Sequence, residues 1–243
     1  MPLPQPYFQH ENCTIYHGDS HEILKLIHAP DDRVVVATDP PYNLALKSAG
    51  GAHVKLEQYA DLMNAARSFQ GIMTESARLC RPDGCIWWMT HLPSGIAGVV
   101  RAMDLGGISP LDMLVWKKPP GHPAYGINRE HEHAIFGVVD IGAFSQANQG
   151  KSIRGIAEYR RASQTDHPAE KPVGLFKTMI HWTVKAKKPA SLVIDPFMGS
   201  GTTLVAAKAL GIRCIGIEQS EKWCSVAVKR LRAQRQNELL PSL

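Results

Sequence analysis

The sequence predicts an α/β protein with a mainly parallel sheet covered by helices on both faces. Three observations carry the prediction. Short β-rich apolar runs alternate with longer segments of helical periodicity along the chain. The run Val34-Val35-Val36-Ala37 has the unbroken apolar character of a buried strand. And 243 residues suffice for one large α/β core with a small insertion.

The elements follow in order. Thr14 to His17 is a first short strand ending in Gly18-Asp19, and Ser20 is placed to cap a helix from His21 to Ile27. Arg33 to Thr38 is the next strand. Tyr59 to Cys80 reads as a long amphipathic helix, with Leu62, Ala66, Phe69, Ile72 and Met73 at helical spacing. Pro82-Asp83-Gly84 breaks it, and Cys85 to Met89 is a strand whose Trp87 and Trp88 read as packing residues. Pro93 to Leu105 reads as helix, then Leu111 to Trp116 and His133 to Val139 as strands. Pro172 to Ala186 is a helix entered by proline at its first turn. Ser191 to Ile194 is a strand, Thr202 to Leu210 a helix ended by Gly211, and Ile212 to Ile217 a strand. Glu221 to Gln236 is a terminal helix. Three segments do not read as core: Asn43 to Gln58, Lys117 to Arg129, and the polar stretch Gly142 to Asp166.

Composition narrows the function. A hydrophobic content of 44% argues for a globular chain, and a net charge of +5 with pI near 9.0 leans towards a polyanionic partner. Cys13, Cys80, Cys85, Cys214 and Cys224 form no CxxC pair, which fits a reduced cytoplasmic compartment better than a disulfide framework. The first residues lack the basic start and apolar stretch of a signal peptide, and no apolar run approaches a membrane span, so no membrane association is expected.

Two motifs carry the chemistry. Asp39-Pro40-Pro41-Tyr42 follows the buried strand at its carboxyl end. The prolines stop the sheet because neither donates a ladder hydrogen bond. An acceptor carboxylate and a stacking ring are thereby presented at the sheet rim, where open α/β sheets bind ligands. The pair suits a planar substrate with an amino group, such as a nucleobase. The second motif, Asp195-Pro196-Phe197-Met198-Gly199-Ser200-Gly201-Thr202-Thr203, lies between a strand and a helix. Gly199 and Gly201 permit a tight turn and close approach of a ligand to backbone. The helix-start amides and the hydroxyls of Thr202 and Thr203 would attract a carboxylate or phosphate. Glu218 ends the next strand, about 20 residues on, where an acid can hold ribose hydroxyls. Leu204 stands where a dinucleotide fingerprint has its third glycine, which favours a ligand with adenosine and a carboxylate over a pyrophosphate.

With these motifs in place the chain resembles the amino methyltransferases of DNA that use S-adenosylmethionine, in the permuted order called the β class. Asp39 to Tyr42 looks like their catalytic motif, and Asp195 to Thr203 like their cofactor loop, here C-terminal to it. His17-Gly18-Asp19 resembles the segment whose acid faces the cofactor adenine. His167-Pro168-Ala169-Glu170-Lys171-Pro172 resembles the HPxxKP segment before the cofactor loop, and His131-Glu132-His133 the HE strand. The similarity spans Thr14 to Arg230. It implies a Rossmann-like class I methyltransferase fold in a single domain, residues 1–243.

The resemblance also implies a mechanism. The Asp39 carboxylate and Pro40 carbonyl accept the two hydrogens of adenine N6, so that its lone pair points at the donor methyl, and Tyr42 stacks on the flipped base. Asp19, Lys171, Asp195, Phe197, Gly199, Ser200, Gly201, Thr202, Thr203 and Glu218 would bind S-adenosylmethionine. Asp at position 39 and the following Asn43-Leu44 resemble adenine-N6 members more than cytosine-N4 members. Rival readings are cytosine-N4 methylation, an inactive DNA-binding subunit, and methylation of RNA or of a protein amide. The family needs no metal, and His131 and His133, although on one strand face, have no third ligand at motif spacing.

The resemblance implies that target recognition falls in a short insertion at about 140–166, between the HE strand and the HPxxKP segment. Its Lys151, Arg154, Arg160 and Arg161, with Lys117 and Lys118 of the preceding loop, are candidate DNA-phosphate contacts. So short a region implies a short or relaxed target sequence, or a homodimer in which a second subunit helps. The setting implied is the cytoplasm of a bacterial or phage-infected cell, in a restriction-modification context.

Overall fold

The computed structural model describes residues 2–41, 57–90, 93–119, 130–149, 152–160 and 170–233. They form one nine-stranded sheet of order β1-β2-β9-β8-β3-β4-β6-β5-β7. In chain order its strands are β1 (Phe8–His10), β2 (Cys13–His17), β3 (Val34–Thr38), β4 (Cys85–Thr90), β5 (Ser109–Lys117), β6 (His131–Val138), β7 (Ile156–Glu158), β8 (Leu192–Asp195) and β9 (Arg213–Glu218). The helices are α1 (Ser20–Leu26), α2 (Glu57–Cys80), α3 (Pro93–Leu105), α4 (Ile141–Asn148), α5 (Val173–Val184), α6 (Thr202–Ala209) and α7 (Glu221–Ala233).

The five central strands β2, β9, β8, β3 and β4 run parallel. β6 is antiparallel to both β4 and β5, so β5 again points the same way as the centre, and β7 joins its edge in parallel. β1 adds an antiparallel edge at the far side.

Period-two alternation sorts the buried strand residues onto two cores. Val35, Ala37, Cys85, Trp87 and Met89 face the cluster shared with Leu175, Phe176 and Met179 of α5 and with Leu204 of α6. Val34, Val36, Ile86 and Trp88 face the opposite cluster, with Ile23 and Leu24 of α1, Ile72 and Met73 of α2 and Met103 of α3. The expected two-sided sheet is therefore present, with α1, α2 and α3 on one face and the later helices on the other.

Three elements differ from the sequence reading. Asp19, rather than Ser20, caps α1: its side chain accepts the His21 N–H at 2.8 Å, and Ser20 turns to donate to the Pro196 carbonyl instead. The antiparallel edge β1 is additional. The stretch expected as a recognition insertion is partly built into the body. α4 begins at Ile141, capped by Asp140, and buries Phe144 in the main core, while β7 extends the sheet. α4 is fixed because Arg33, 1% exposed, sends one guanidinium nitrogen to Asn148 Oδ1 at 3.3 Å and stacks 5.4 Å from the Phe144 ring.

Candidate active site

Strand register brings the two motifs to one edge of the sheet. His17 lies beside Glu218, Asp195 beside Gly216, Val36 beside Ile194 and Thr38 beside Trp88. Asp19, Asp39, Asp195 and Glu218 thus all sit at the carboxyl ends of neighbouring parallel strands, where helix starts point their amides outward. A direct bond joins the motifs: Thr38 Oγ1 donates to Asp195 Oδ1 at 2.6 Å.

The turn from Asp195 to Thr203 is held by its own side chains. Asp195 is 2% exposed, and its Oδ1 also accepts the Phe197 N–H at 3.0 Å. Burial pushes its carboxyl pKa up to about 6, against the hydrogen bonds of Thr203, Thr38 and the Phe197 amide, with the Asp39 charge adding to the rise. Gly201 has φ 82°, a conformation that side chains rarely adopt, and a Cβ there would stand 2.8 Å from the Ala227 methyl of α7. Glycine lets the turn close against that helix. Glu218 grips the turn from the adjacent strand. Its Oε2 accepts the Gly199 N–H at 3.0 Å and its Oε1 the Ser220 N–H at 2.8 Å. A carboxylate has about four acceptor sites, so capacity for ligand hydroxyls is left.

The hydroxyls of this loop point elsewhere than the sequence suggests. Thr202 and Thr203 are 6% and 1% exposed. Thr203 serves Asp195, and Thr202 Oγ1 accepts from Arg230 at 3.2 Å. An anion at the start of α6 would therefore meet backbone amides rather than these hydroxyls. Gly201 caps that helix without a side-chain hydrogen bond. Ser200 is likewise drawn inward, donating to Glu170 Oε2 at 3.2 Å and accepting from Arg230 at 2.9 Å. Phe197 is partly buried, with its ring 5.8 Å from Phe69 and 6.0 Å from Trp88.

Asp39 is 20% exposed at its side chain and heads a row of alternating charge. Lys171 Nζ lies 2.7 Å from Asp39 Oδ2 and 3.3 Å from Glu132 Oε2, and Lys118 pairs with Glu132 Oε1. Burial pulls the Lys171 pKa down, but Asp39 and Glu132 more than offset it, so the net shift is upward and the ammonium stays charged. Burial raises Glu132, and Lys171 and Lys118 outweigh it, leaving its carboxyl below the usual range. Lys171, expected against the cofactor, thus stands on the opposite motif.

Pro40 is buried and Pro41 exposed, while Tyr42, Lys151 and Arg161 lie outside the described residues, as do His167, Pro168 and Ala169 of the HPxxKP segment. Among the candidate phosphate contacts, Arg154 and Arg160 are exposed and Lys117 pairs on the surface with Glu158 at 3.5 Å. Lys118 is not on the surface. Its side chain is 9% exposed and turned to Glu132, rather than outward as a phosphate ligand would be. No metal-ligating cluster occurs among the described residues.

Sequence reasoning missed Thr38, Glu170 and Arg230 as parts of the site. Glu170 lies inside a motif already singled out. Arg230 carries no local signal, because its partners are about thirty residues or more away in the chain.

Residues 34–229 match a family model described as DNA methylase. The type II methyltransferase M2.LlaDCHI of Lactococcus lactis subsp. cremoris is 26% identical over 254 residues, spanning 94% of this chain and 93% of the relative. The type II methyltransferase M2.DpnII of Streptococcus pneumoniae is 24% identical, over 96% and 95% of the two chains. Among solved structures, the M1.HpyAVI–SAM complex aligns with a TM-score of 0.63 at 26% identity, covering 90% of this chain and 99% of that one. The PvuII DNA methyltransferase (cytosine-N4-specific) aligns with a TM-score of 0.71 at 17% identity over 97% and 90%, a likeness of fold alone.

Proposed function

The chain belongs to the DNA methylase family that its residues 34–229 match, and from that premise we propose that it methylates adenine N6 of a base flipped out of DNA. S-adenosylmethionine is its cofactor and supplies an electrophilic sulfonium methyl. The residues at the rim fit that molecule. The uncapped amides of α6 suit its carboxylate, Glu218 its ribose hydroxyls, and Asp19 and the Phe197 ring its adenine.

One observation carries the reading. A carboxylate at the end of a central strand, Asp39, is oriented by a buried ammonium beside a tethered cofactor loop. Adenine N6 is a weak nucleophile because its lone pair is spread into the ring. The Asp39 carboxylate and the Pro40 carbonyl accept its two hydrogens, localise the lone pair, and stabilise positive charge on nitrogen as it develops. N6 would gain the methyl as the carbon–sulfur bond of the sulfonium breaks, its electron pair staying on sulfur in a neutral thioether, and one N6 proton would leave along the hydrogen bond to the Asp39 carboxylate and pass to solvent. Lys171 keeps one carboxylate oxygen fixed, so the acceptor needs no reorganisation during transfer.

Asp at position 39, with Asn43-Leu44, supports adenine over cytosine. Exposed Lys117 and Arg160 lie near the carboxyl end of β5 and its partner β7, the edge that carries Asp39, which supports a DNA backbone lying across that rim. No described helix is long and apolar enough to cross a membrane. The five cysteines are all free and buried, which supports a reducing cytoplasmic setting.

Replacing Asp39 by Ala tests the division of labour. Labelled-methyl transfer to DNA should fall by about a hundredfold or more, while cofactor affinity by calorimetry changes by less than about threefold. Equal loss of both would show that Asp39 belongs to the cofactor site instead.

A further inference from the structure

Glu170 and Lys171 are consecutive, yet they grip different halves of the site. Lys171 holds the Asp39 carboxylate at 2.7 Å and braces on Glu132 at 3.3 Å. Glu170 holds the cofactor loop. Its Oε2 accepts from Ser200 Oγ at 3.2 Å, and its Oε1 pairs with Arg230 Nη2 at 2.9 Å. Arg230 reaches from α7 with its other nitrogen to the Ser200 carbonyl at 2.8 Å, to Ser200 Oγ at 2.9 Å and to Thr202 Oγ1 at 3.2 Å.

These ties are stiff. The side chains of Glu170 and Lys171 are each 8% exposed, so breaking either pair strands a charge away from water. Pro172 follows at once as the cap of α5, with φ −62°, and restricts the backbone of Lys171 before it. Two adjacent Cα atoms are about 3.8 Å apart, so a shift of one anchored side chain is passed to the other.

We propose that Glu170-Lys171 is a joint through which the cofactor loop, held by Glu170 and Arg230, sets the position of the Asp39 carboxylate. The proposal rests on the methyltransferase reading. Glu170 and Arg230 are then positioning residues for the transfer step as well as for cofactor binding. If the two grips were independent, loss of the Glu170 grip would weaken cofactor binding and leave the transfer step at saturating cofactor unchanged.

The test compares Glu170→Gln, Lys171→Met, Lys171→Arg and the double variant Glu170→Gln/Lys171→Met. Cofactor Kd is measured by calorimetry, and single-turnover methyl transfer is measured with cofactor and DNA saturating. Glu170→Gln should weaken cofactor binding several-fold and also slow saturated transfer about tenfold. Lys171→Met should slow transfer by about a hundredfold with cofactor Kd nearly unchanged, and Lys171→Arg should restore part of the rate. The double variant should be no slower than Lys171→Met alone, a departure from additivity of about tenfold. Multiplying rate losses, or Glu170→Gln acting on Kd alone, would overturn the joint. Should Glu170→Gln not fold, Arg230→Lys, which keeps the charge but loses the fork, carries the same comparison. Wild-type protein that transfers no methyl to DNA would sink the functional reading and this inference with it, an outcome distinct from additivity in an active enzyme.

Discussion

Asp195 shows how one side chain serves both stability and the site. It ends β8, accepts from Thr38, Thr203 and the Phe197 amide, and so ties β3 to the turn before α6. Burial opposes the charge and pushes its carboxyl up to about 6 in the folded protein, against 3.8 for an ordinary aspartate. The folded state therefore binds this proton more tightly than the unfolded chain. Stability from this group is full below about pH 4 and is lost as pH rises to about 6, after which the curve is flat. A shift of that size corresponds to about 3 kcal/mol. Asp195→Asn removes the titration. Urea unfolding at pH 4 and pH 7 should show the variant gaining about 2 kcal/mol on the wild type between the two. A constant difference would mean that Asp195 has an ordinary carboxyl pKa. At this scale the sequence was informative about which residues matter and silent about partners. Asp195, Glu218 and Lys171 stand out by motif. That Lys171 meets Asp39, or that Thr202 turns inward to Arg230, depends on contacts between distant segments that no local pattern encodes.

Among the elements, the long periodic ones were legible and the short ones were not. Val34–Thr38, Cys85–Thr90 and the helix ending at Cys80 follow from apolar pattern and breakers. β1 and β7 are three residues each, too short for a period, and exist because a neighbouring edge accepts them. α4 contains Gly142 and polar residues, and its burial comes from Phe144 and from Arg33. Arg33 fixes several elements at the edge opposite the site. Its guanidinium donates to the carbonyls of Asp83, Thr183 and Lys188 and to Asn148. Arg33→Met would leave those buried carbonyls without donors, at a cost of about 3 kcal/mol or more. The urea midpoint should drop accordingly while cofactor affinity, set at the far edge, stays within about twofold. A matched loss of cofactor affinity would indicate that the two edges are coupled through the sheet.

In the whole molecule, the order of the strands does more than any single motif. The Asp195 turn comes late in the chain and the Asp39 turn early, yet β8 and β3 are neighbours, so Asp195 and Asp39 share one rim. The net charge of +5 suits a polyanionic partner. The strand directions of β6 and β5 were not readable from sequence, since antiparallel and parallel strands share the same apolar code when both faces are buried. The reaction is defined by the atom that receives the methyl. Mass spectrometry of nucleosides from DNA treated with the pure protein and S-adenosylmethionine measures it directly. N6-methyladenine is expected, and it should be absent when Asp39→Ala is used. N4-methylcytosine without N6-methyladenine would contradict that expectation.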